Sequence, residues 1–158
     1  MIDLNKLKNT TLCYIERDGE YLMMHRIKKQ NDVNHGKWIG IGGKFEENET
    51  PLECALREIK EETGIVAYNL KYRGIVNFIS DIFETEVMHL FTADSFDGDI
   101  NFDCNEGVLK WVKKTEVLNL NLWEGDRIFL DFLTQDRPFF MLTLTYKGDK
   151  LIDYKVEE

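Results

Sequence analysis

Residues 42–65, GGKFEENETPLECALREIKEETGI, consist of a glycine-rich loop followed by a helix whose two ends are marked in the sequence. Thr50 is a good N-cap, and Pro51 suits the first helical position. Glu53 completes a capping box with Thr50, because their side chains and backbone N–H groups can bond reciprocally. Gly64 supplies the C-terminal stop. This stretch therefore predicts a capped helix between Thr50 and Gly64.

The predicted helix has two unlike faces. Because an α-helix turns 100° per residue, the apolar residues fall on one face. They are Leu52, Ala55, Leu56 and Ile59. A separate acidic stripe presents Glu58, Glu61 and Glu62 on another face. Carboxylates at these spacings repel by roughly 0.2–0.5 kcal/mol per pair, and the macrodipole disfavours anions near a helix C-terminus. The acidic stripe opposes helix stability, so a further function for it has to be considered.

Two interpretations of the acidic stripe are open. It can be a solvated face, since glutamate is a good helix former. It can also bind Mg²⁺, which prefers oxygen ligands and commonly bridges carboxylates to substrate phosphates. Bound dications offset the repulsion and activate water for phosphoanhydride hydrolysis. Arg57 likewise has two readings, as an i,i+4 partner of Glu61 or as an anchor of the preceding loop through Glu49.

The composition is that of a folded protein with an acidic surface. The chain has 158 residues, 43% hydrophobic and 31% charged, and we expect a single domain over residues 1–158. A net charge of −9 argues against a nucleic-acid polymer as partner but not against a nucleotide bound with cations. Three scattered cysteines indicate reduced thiols. The first ten residues lack an apolar segment and no run is long enough to span a membrane, so we expect a cytoplasmic protein without a membrane partner.

Alternating and helical patterns predict an α+β fold. TTLCYIER and YLMMHRI predict a hairpin, KKQNDVNHGK a loop, and WIGIGGK a short strand. Beyond the first helix, YNLKYRGIVNFIS, TEVMHLFTADSF and GVLKWVKK predict strands, and helical spacing predicts a second helix from about Glu124. PFFMLTLTYKGDKLIDYKV predicts a closing hairpin. The expected architecture is a mostly β core between two helices.

The opening stretch resembles the signature of the Nudix hydrolases, G-x5-E-x7-R-E-U-x-E-E-x-G-U, in which U is a bulky aliphatic residue. All nine specified positions within 23 residues are filled; they are Gly43, Glu49, Arg57, Glu58, Ile59, Glu61, Glu62, Gly64 and Ile65. The resemblance implies a Nudix-type α/β/α sandwich with a mixed β-sheet between helices. It also implies divalent-metal-dependent cleavage of a nucleoside diphosphate linked to another group.

The resemblance implies roles for the residues of the signature. Glu58, Glu61 and Glu62 would bind Mg²⁺, or Mn²⁺, with the backbone carbonyl of Gly43. Glu49 and Arg57 would hold the loop against the helix. The general base varies within the family, and we favour Glu58. The later segment NEGVLKWV resembles one that contributes a further acidic ligand, which points to Glu106.

Outside the signature the chain is most similar to the MutT-type oxidised-purine nucleoside triphosphatases. These enzymes convert 8-oxo-dGTP to its monophosphate and pyrophosphate, which removes damaged precursors before DNA synthesis. The segment LWEGD resembles one that stacks on and hydrogen-bonds the purine, pointing to Trp123 and Asp126. Core packing is the alternative for Trp123, and a first-turn surface aspartate for Asp126. The chain departs from the mammalian-type pattern at Gly125, where those enzymes carry an aspartate, and at Ile39, where they carry an asparagine.

Three further residues are candidates for substrate contact. Phe78 either lines the base pocket or belongs to the core. Arg26 and Lys44 suit phosphate contact, with a plain surface position as the alternative. The predicted substrate is a small nucleotide, with ADP-ribose or another nucleoside diphosphate derivative as an alternative and a non-catalytic nucleotide-binding module as a second. The patterns leave the preferred base and the choice between monomer and homodimer open.

Overall fold

The computed structural model describes residues 7–158. Its strands are β1 (Lys8–Arg17), β2 (Glu20–His25), β3 (Trp38–Ile39), β4 (Ile41–Lys44), β5 (Val66–Tyr68), β6 (Lys71–Ser80), β7 (Glu86–Ala93), β8 (Ser95–Asp97), β9 (Val108–Lys113), β10 (Phe140–Lys147) and β11 (Lys150–Glu157). Its α-helices are α1 (Pro51–Thr63) and α2 (Glu124–Thr134), and a short 3-10 helix covers Val117–Asn119. The prediction that the first ten residues lack an apolar segment concerns in part residues 1–6, which lie outside the described residues. No helix within residues 7–158 is long and apolar enough to cross a bilayer.

A mixed sheet forms the middle layer, with strand order β11-β10-β6-β7-β1-β2-β3. β1 pairs in parallel with β7 along its length and antiparallel with β4 at one end and β2 at the other. β10 pairs in parallel with β6, whereas β6 and β7 are antiparallel. β9 continues the sheet beside β2. The mixed sheet implied by the resemblance is confirmed.

The two helices cover opposite faces of this sheet. On one face α1 packs through Ala55 and Ile59 against a cluster from β1, β2 and β4. On the other, α2 packs through Phe129, Leu130 and Leu133 against the inward residues of β10. Burying a large apolar side chain contributes roughly 1.5–3 kcal/mol, so each face holds its own helix. The predicted α/β/α sandwich is confirmed.

The predicted ends of α1 are confirmed. Glu53 N–H donates to Thr50 Oγ1 over 3.1 Å, and Thr50 N–H donates to Glu53 Oε1 over 3.0 Å. Gly64 takes the left-handed conformation, with φ 82°, which residues with a Cβ rarely adopt. The helix is thus closed at both ends by residues within its own stretch of sequence.

The predicted faces of α1 are partly wrong. Leu52 is 46% exposed, whereas Cys54 is buried and its Sγ lies 3.3 Å from Thr11 Oγ1. The inward face is therefore rotated from the predicted stripe, and this rotation carries Glu62 under cover at 9% exposure. The acidic residues do not form one separate solvent-facing stripe.

Three predicted strands are each divided. WIGIGGK breaks at Gly40 into β3 and β4. YNLKYRGIVNFIS breaks at Asn69, whose φ of 57° ends β5 before β6 begins. TEVMHLFTADSF divides into β7 and β8. The detached pieces β5 and β8 pair with each other as a separate two-stranded ribbon. The predicted first hairpin, second helix and closing hairpin are confirmed.

Candidate active site

A cleft of about 750 Å³ gathers most of the predicted site residues. Eight of them line it: Arg26, Gly43, Lys44, Glu58, Phe78, Glu106, Trp123 and Asp126. The other four do not reach its wall: Glu49, Arg57, Glu61 and Glu62. The cleft thus brings Gly43 and Glu58 of the signature together with Trp123 and Asp126 at the start of α2, so two distant segments of sequence share one cavity.

The glycine pair lets the loop backbone approach its neighbours. A Cβ on Gly42 would lie 1.8 Å from the carbonyl oxygen of Thr11 in the paired strand. A Cβ on Gly43 would lie 2.5 Å from Glu58 Oε1. A side chain at position 42 would clash with the backbone of β1, and one at position 43 would displace the Glu58 carboxylate. The Glu58 carboxylate consequently lies directly against the backbone of the loop.

Arg57 joins the loop to the acidic residues of α1. Its Nε and Nη2 donate to the two oxygens of Glu49 over 2.6 and 2.9 Å, and Nη2 also donates to the carbonyl of Lys44 over 3.0 Å. Its Nη1 donates to Glu58 over 2.9 Å and to Glu61 over 3.1 Å. The hydrogen bonds from Arg57 and then from the Glu46 N–H lower the pKa of Glu49 to about 2. Both interpretations of Arg57 are therefore correct at once.

The three signature glutamates differ in environment. Burial raises the pKa of Glu58, against the opposing effect of the Arg57 hydrogen bond. Burial, followed by the nearby Glu106 charge, raises the pKa of Glu62 to about 10. Glu62 Oε2 is buried without a hydrogen-bond partner. The side chain of Glu61 is instead 56% exposed. An unpaired buried carboxylate oxygen is costly on its own and indicates a ligand-binding position.

The residues present fit a hard divalent cation, although they are not drawn together around one point. Within residues 7–158 no three acidic, histidine or cysteine side chains converge as a ready metal site. Glu58 and Glu61 both accept from Arg57 Nη1, whereas Glu62 is buried, so the expected glutamate triad is not assembled around one point. The unpartnered Glu62 oxygen and the cleft-lining Glu58 and Glu106 nevertheless supply the oxygen donors that Mg²⁺ prefers. A dication among them would offset the repulsion between these carboxylates.

The two predicted phosphate contacts are placed differently. Arg26 lies at the cleft wall with its side chain only 13% exposed, and Nε donates to Asp32 Oδ2 over 2.7 Å. Its Nη1 donates to Glu106 over 3.2 Å. The alternative of a plain surface position is thus wrong for Arg26. Lys44 is exposed and lines the cleft directly after Gly43.

Trp123 lies at the far end of the cleft, immediately before α2. Its indole Nε1–H donates to Asn34 Oδ1 over 2.9 Å. The Tyr146 ring meets it nearly at right angles, with centroids 5.7 Å apart. The ammonium of Lys37 lies 5.1 Å from the centre of the indole. Trp123 packs against the α2 core, as the core alternative expects, and also borders the cleft; stacking on a purine stays a prediction.

Asp126 follows one turn later and is 4% exposed, so its alternative as a surface residue is wrong. Burial, followed by repulsion from Glu86, raises its pKa to about 8, while Lys37 acts in the opposite direction. Phe78 borders the same end of the cleft and packs against the α2 core. At neutral pH this end therefore holds a carboxyl group that retains its proton.

The departure at Gly125 has a packing cause. Its backbone N–H donates to the Tyr146 hydroxyl over 2.8 Å. A Cβ there would lie 2.4 Å from Leu144 Cδ1 and 2.8 Å from the same hydroxyl. Tyr146 thus takes up the room that a side chain at position 125 would need. Ile39, the second departure, also lines the cleft.

Sequence reasoning did not identify several cleft residues. Tyr146 points inward because it follows Leu142 and Leu144 in the alternation of β10. Glu86 reaches the cleft because it is paired opposite Phe78 in the β6–β7 register. Asn34 sits in the segment predicted only as a loop. The alternation of β10 is visible in the sequence and could have predicted that Tyr146 points inward. The sequence does not show that Glu86 pairs with Phe78.

Comparison with known proteins gives a consistent result. The NUDIX domain family matches residues 6–133. An uncharacterized Nudix hydrolase of Bacillus subtilis is 30% identical over 156 residues, covering 96% of this chain and 95% of that protein. An oxidized purine nucleoside triphosphate hydrolase of Danio rerio is 28% identical over 153 residues, covering 96% and 95%. The crystal structure of a mutator MutT protein from Bacillus halodurans superposes with a TM-score of 0.85 at 28% identity, covering 95% of this chain and 97% of that one.

Proposed function

The chain belongs to the Nudix family of hydrolases that act on nucleoside phosphates, and we propose that it cleaves oxidised purine nucleoside triphosphates such as 8-oxo-dGTP. The products are the nucleoside monophosphate and pyrophosphate. One observation carries the proposal: a single cleft is lined by Gly43, Glu58 and Glu106 and also by Trp123 and Asp126. The similarity to the oxidized purine nucleoside triphosphate hydrolase of Danio rerio over nearly the whole chain supports the choice of substrate.

Members of this family use divalent cations, and here Mg²⁺ is the proposed one, with Mn²⁺ as a substitute. Glu58, Glu62, Glu106 and the carbonyl of Gly43 would hold it, and Glu61 would join them from the edge of α1. When bound, Mg²⁺ supplies charge neutralisation at the phosphates and lowers the pKa of attacking water. Clustered carboxylates without a cation would repel the polyphosphate, so the reaction should require added metal.

The protein residues around the cation have distinct proposed tasks. Glu58 borders the cleft and is the candidate general base, since its carboxylate lies against Gly43 at the edge of the cavity. Arg57 and Glu49 keep that carboxylate and the loop in fixed relation through their paired hydrogen bonds. Lys44, an exposed cation at the cleft wall, would contact the phosphates.

The base end of the cleft suits a purine with a carbonyl oxygen. An indole provides a broad stacking surface, worth roughly 1–3 kcal/mol per base. A protonated Asp126 donates a hydrogen bond to a purine carbonyl, whereas an ionised one accepts from N1–H and the exocyclic amine. Because its pKa is raised to about 8, the donating form dominates at neutral pH. An amino group in place of the carbonyl would face a donor and bind less well.

We also propose that the protein acts in the cytoplasm on free nucleotides. Its three cysteines, Cys13, Cys54 and Cys104, are buried and unpaired, as expected where thiols stay reduced. We propose as well that residues 1–158 form a single domain.

Steady-state assays with 8-oxo-dGTP, dGTP and ADP-ribose, each with and without Mg²⁺, test the proposal. We expect 8-oxo-dGTP to give monophosphate and pyrophosphate at the highest kcat/KM, and only with the metal. Pyrophosphate release distinguishes this cleavage from loss of a single phosphate. Absence of product from every substrate would contradict the hydrolase assignment, whereas hydrolysis of ADP-ribose alone would contradict only the choice of substrate.

A further inference from the structure

The chain between β2 and β3, residues 26–37, forms a closed segment beside the cleft. Its ends are joined by two backbone hydrogen bonds, from Arg26 N–H to the Lys37 carbonyl over 2.9 Å and from Gly36 N–H to the Arg26 carbonyl over 2.6 Å. Asn121 holds it from the side, donating through Nδ2 to the Gly36 carbonyl over 3.0 Å. This 26–37 segment is therefore anchored at its base and close to the start of α2.

Within the 26–37 segment, side chains connect the two ends of the cleft. Trp123 donates through its indole to Asn34 Oδ1, and the backbone N–H of Asn34 donates to Asp32 Oδ1 over 3.1 Å. Arg26 donates to the other oxygen of Asp32 over 2.7 Å and to Glu106 over 3.2 Å. The side chains of Asp32 and Arg26 are only 7% and 13% exposed. Every link runs from an N–H donor to an oxygen acceptor, so the series is satisfied throughout.

We infer that Asn34 is a positioning residue that fixes the indole of Trp123 in the plane needed to stack on a purine. The inference rests on the proposed function, because it names how that function's base platform is held. An indole has one polar atom, a donor, so a single acceptor determines its rotation about the last side-chain bond. Asp32 in turn holds the backbone of Asn34, and Arg26 holds Asp32.

A simpler interpretation is that Asn34 only stabilises the 26–37 segment. The two readings differ in what depends on the indole N–H. If Asn34 acts through Trp123, its substitution matters only while residue 123 carries an N–H. If Asn34 merely stabilises the segment, the effect persists whatever residue 123 is. A double-mutant cycle separates these cases.

The experiment compares Asn34→Leu with Asn34→Asp, each in the wild-type chain and in Trp123→Phe. Leucine removes the acceptor at similar size, whereas aspartate keeps one. With 8-oxo-dGTP and Mg²⁺, Asn34→Leu should raise KM about 3- to 10-fold, as expected for one lost hydrogen bond, with kcat within twofold. Asn34→Asp, which keeps an acceptor, should leave KM close to the wild-type value. In Trp123→Phe, Asn34→Leu should change KM by less than twofold.

A second measurement does not depend on turnover. In a two-dimensional ¹H–¹⁵N spectrum the indole N–H of Trp123 is identified by its loss in Trp123→Phe, and Asn34→Leu should speed its exchange with solvent while Trp38 and Trp111 stay unchanged. Unchanged exchange, or an equal KM effect in both backgrounds, would overturn the inference and leave the hydrolase proposal intact. A wild-type chain that hydrolyses no nucleotide would instead overturn the proposed function and, with it, the base-positioning role.

Discussion

Asp126 should make the stability of the folded protein fall as pH rises, and replacing it with asparagine should remove that dependence. Burial raises its pKa from the ordinary 3.8 to about 8. Between those values the unfolded chain has lost the proton and the folded chain keeps it. The folded state therefore binds more protons, and the free energy of unfolding declines with increasing pH. The stabilisation that protonated Asp126 contributes to the folded state is fully present below pH 4 and is lost as pH rises through about 8.

The magnitude follows from proton linkage. One proton of difference changes the free energy of unfolding by about 1.4 kcal/mol per pH unit, so the span from pH 5 to pH 7 should cost the wild type about 2–3 kcal/mol relative to Asp126→Asn. Other groups titrate over the same range, but their effects cancel when the two proteins are compared at each pH. The comparison therefore isolates a single side chain.

Urea unfolding followed by circular dichroism at pH 5, 6, 7 and 8 measures this difference directly. Asp131→Asn is the matched control, because Asp131 lies on the same helix and is exposed. For Asp131→Asn, the free energy of unfolding plotted against pH should run parallel to that of the wild type. Parallel curves for Asp126→Asn as well would refute the reasoning, since they would mean that Asp126 is ionised in the folded protein. It would then act on the base as an acceptor.

Three further substitutions test other parts of the site. Glu62→Gln should keep the fold by circular dichroism and lose at least 100-fold in kcat, because a carboxamide is a weak Mg²⁺ ligand; an active variant would remove Glu62 from the metal site. Arg57→Lys should lower the free energy of urea unfolding by about 1–3 kcal/mol, since a point charge cannot bridge Glu49 and the acidic residues of α1, and an unchanged midpoint would show that the loop is held by other contacts. Gly125→Ala should cost about 1–3 kcal/mol through overpacking against Leu144, a loss that thermal unfolding would detect and that an unchanged melting temperature would contradict.

Local sequence determined some features fully. The ends of α1 were predictable because Thr50, Glu53 and Gly64 act on backbone groups within three or four residues. The link from Arg57 to Glu49 was likewise implied by the signature. In contrast, the inward turn of Glu62 depends on how α1 is rotated against the sheet. That rotation is set by Cys54 packing at Thr11, which periodicity along the helix cannot show.

The cleft itself depends on strand pairing. Trp123 and Asp126 line the same cleft as Glu58 and Glu106, although α2 and α1 pack on opposite faces of the sheet. Short runs such as LWEGD suggested the residues but not their burial, and burial is what raises the pKa of Asp126. Likewise, Asn34 falls in a polar stretch that showed only a loop, and its partner Trp123 is far away in sequence.

The contact between Gly125 and Tyr146 restricts the order in which this protein could change its base preference during evolution. An aspartate at position 125 requires the hydroxyl of Tyr146 and the methyl of Leu144 to move, because its Cβ would lie 2.8 and 2.4 Å from them. Smaller residues at those two strand positions would make that room, at a cost to core packing. A lineage carrying the glycine is thus separated from one carrying paired aspartates by a less stable intermediate, and laboratory selection for altered nucleotide preference should start from variants at Tyr146.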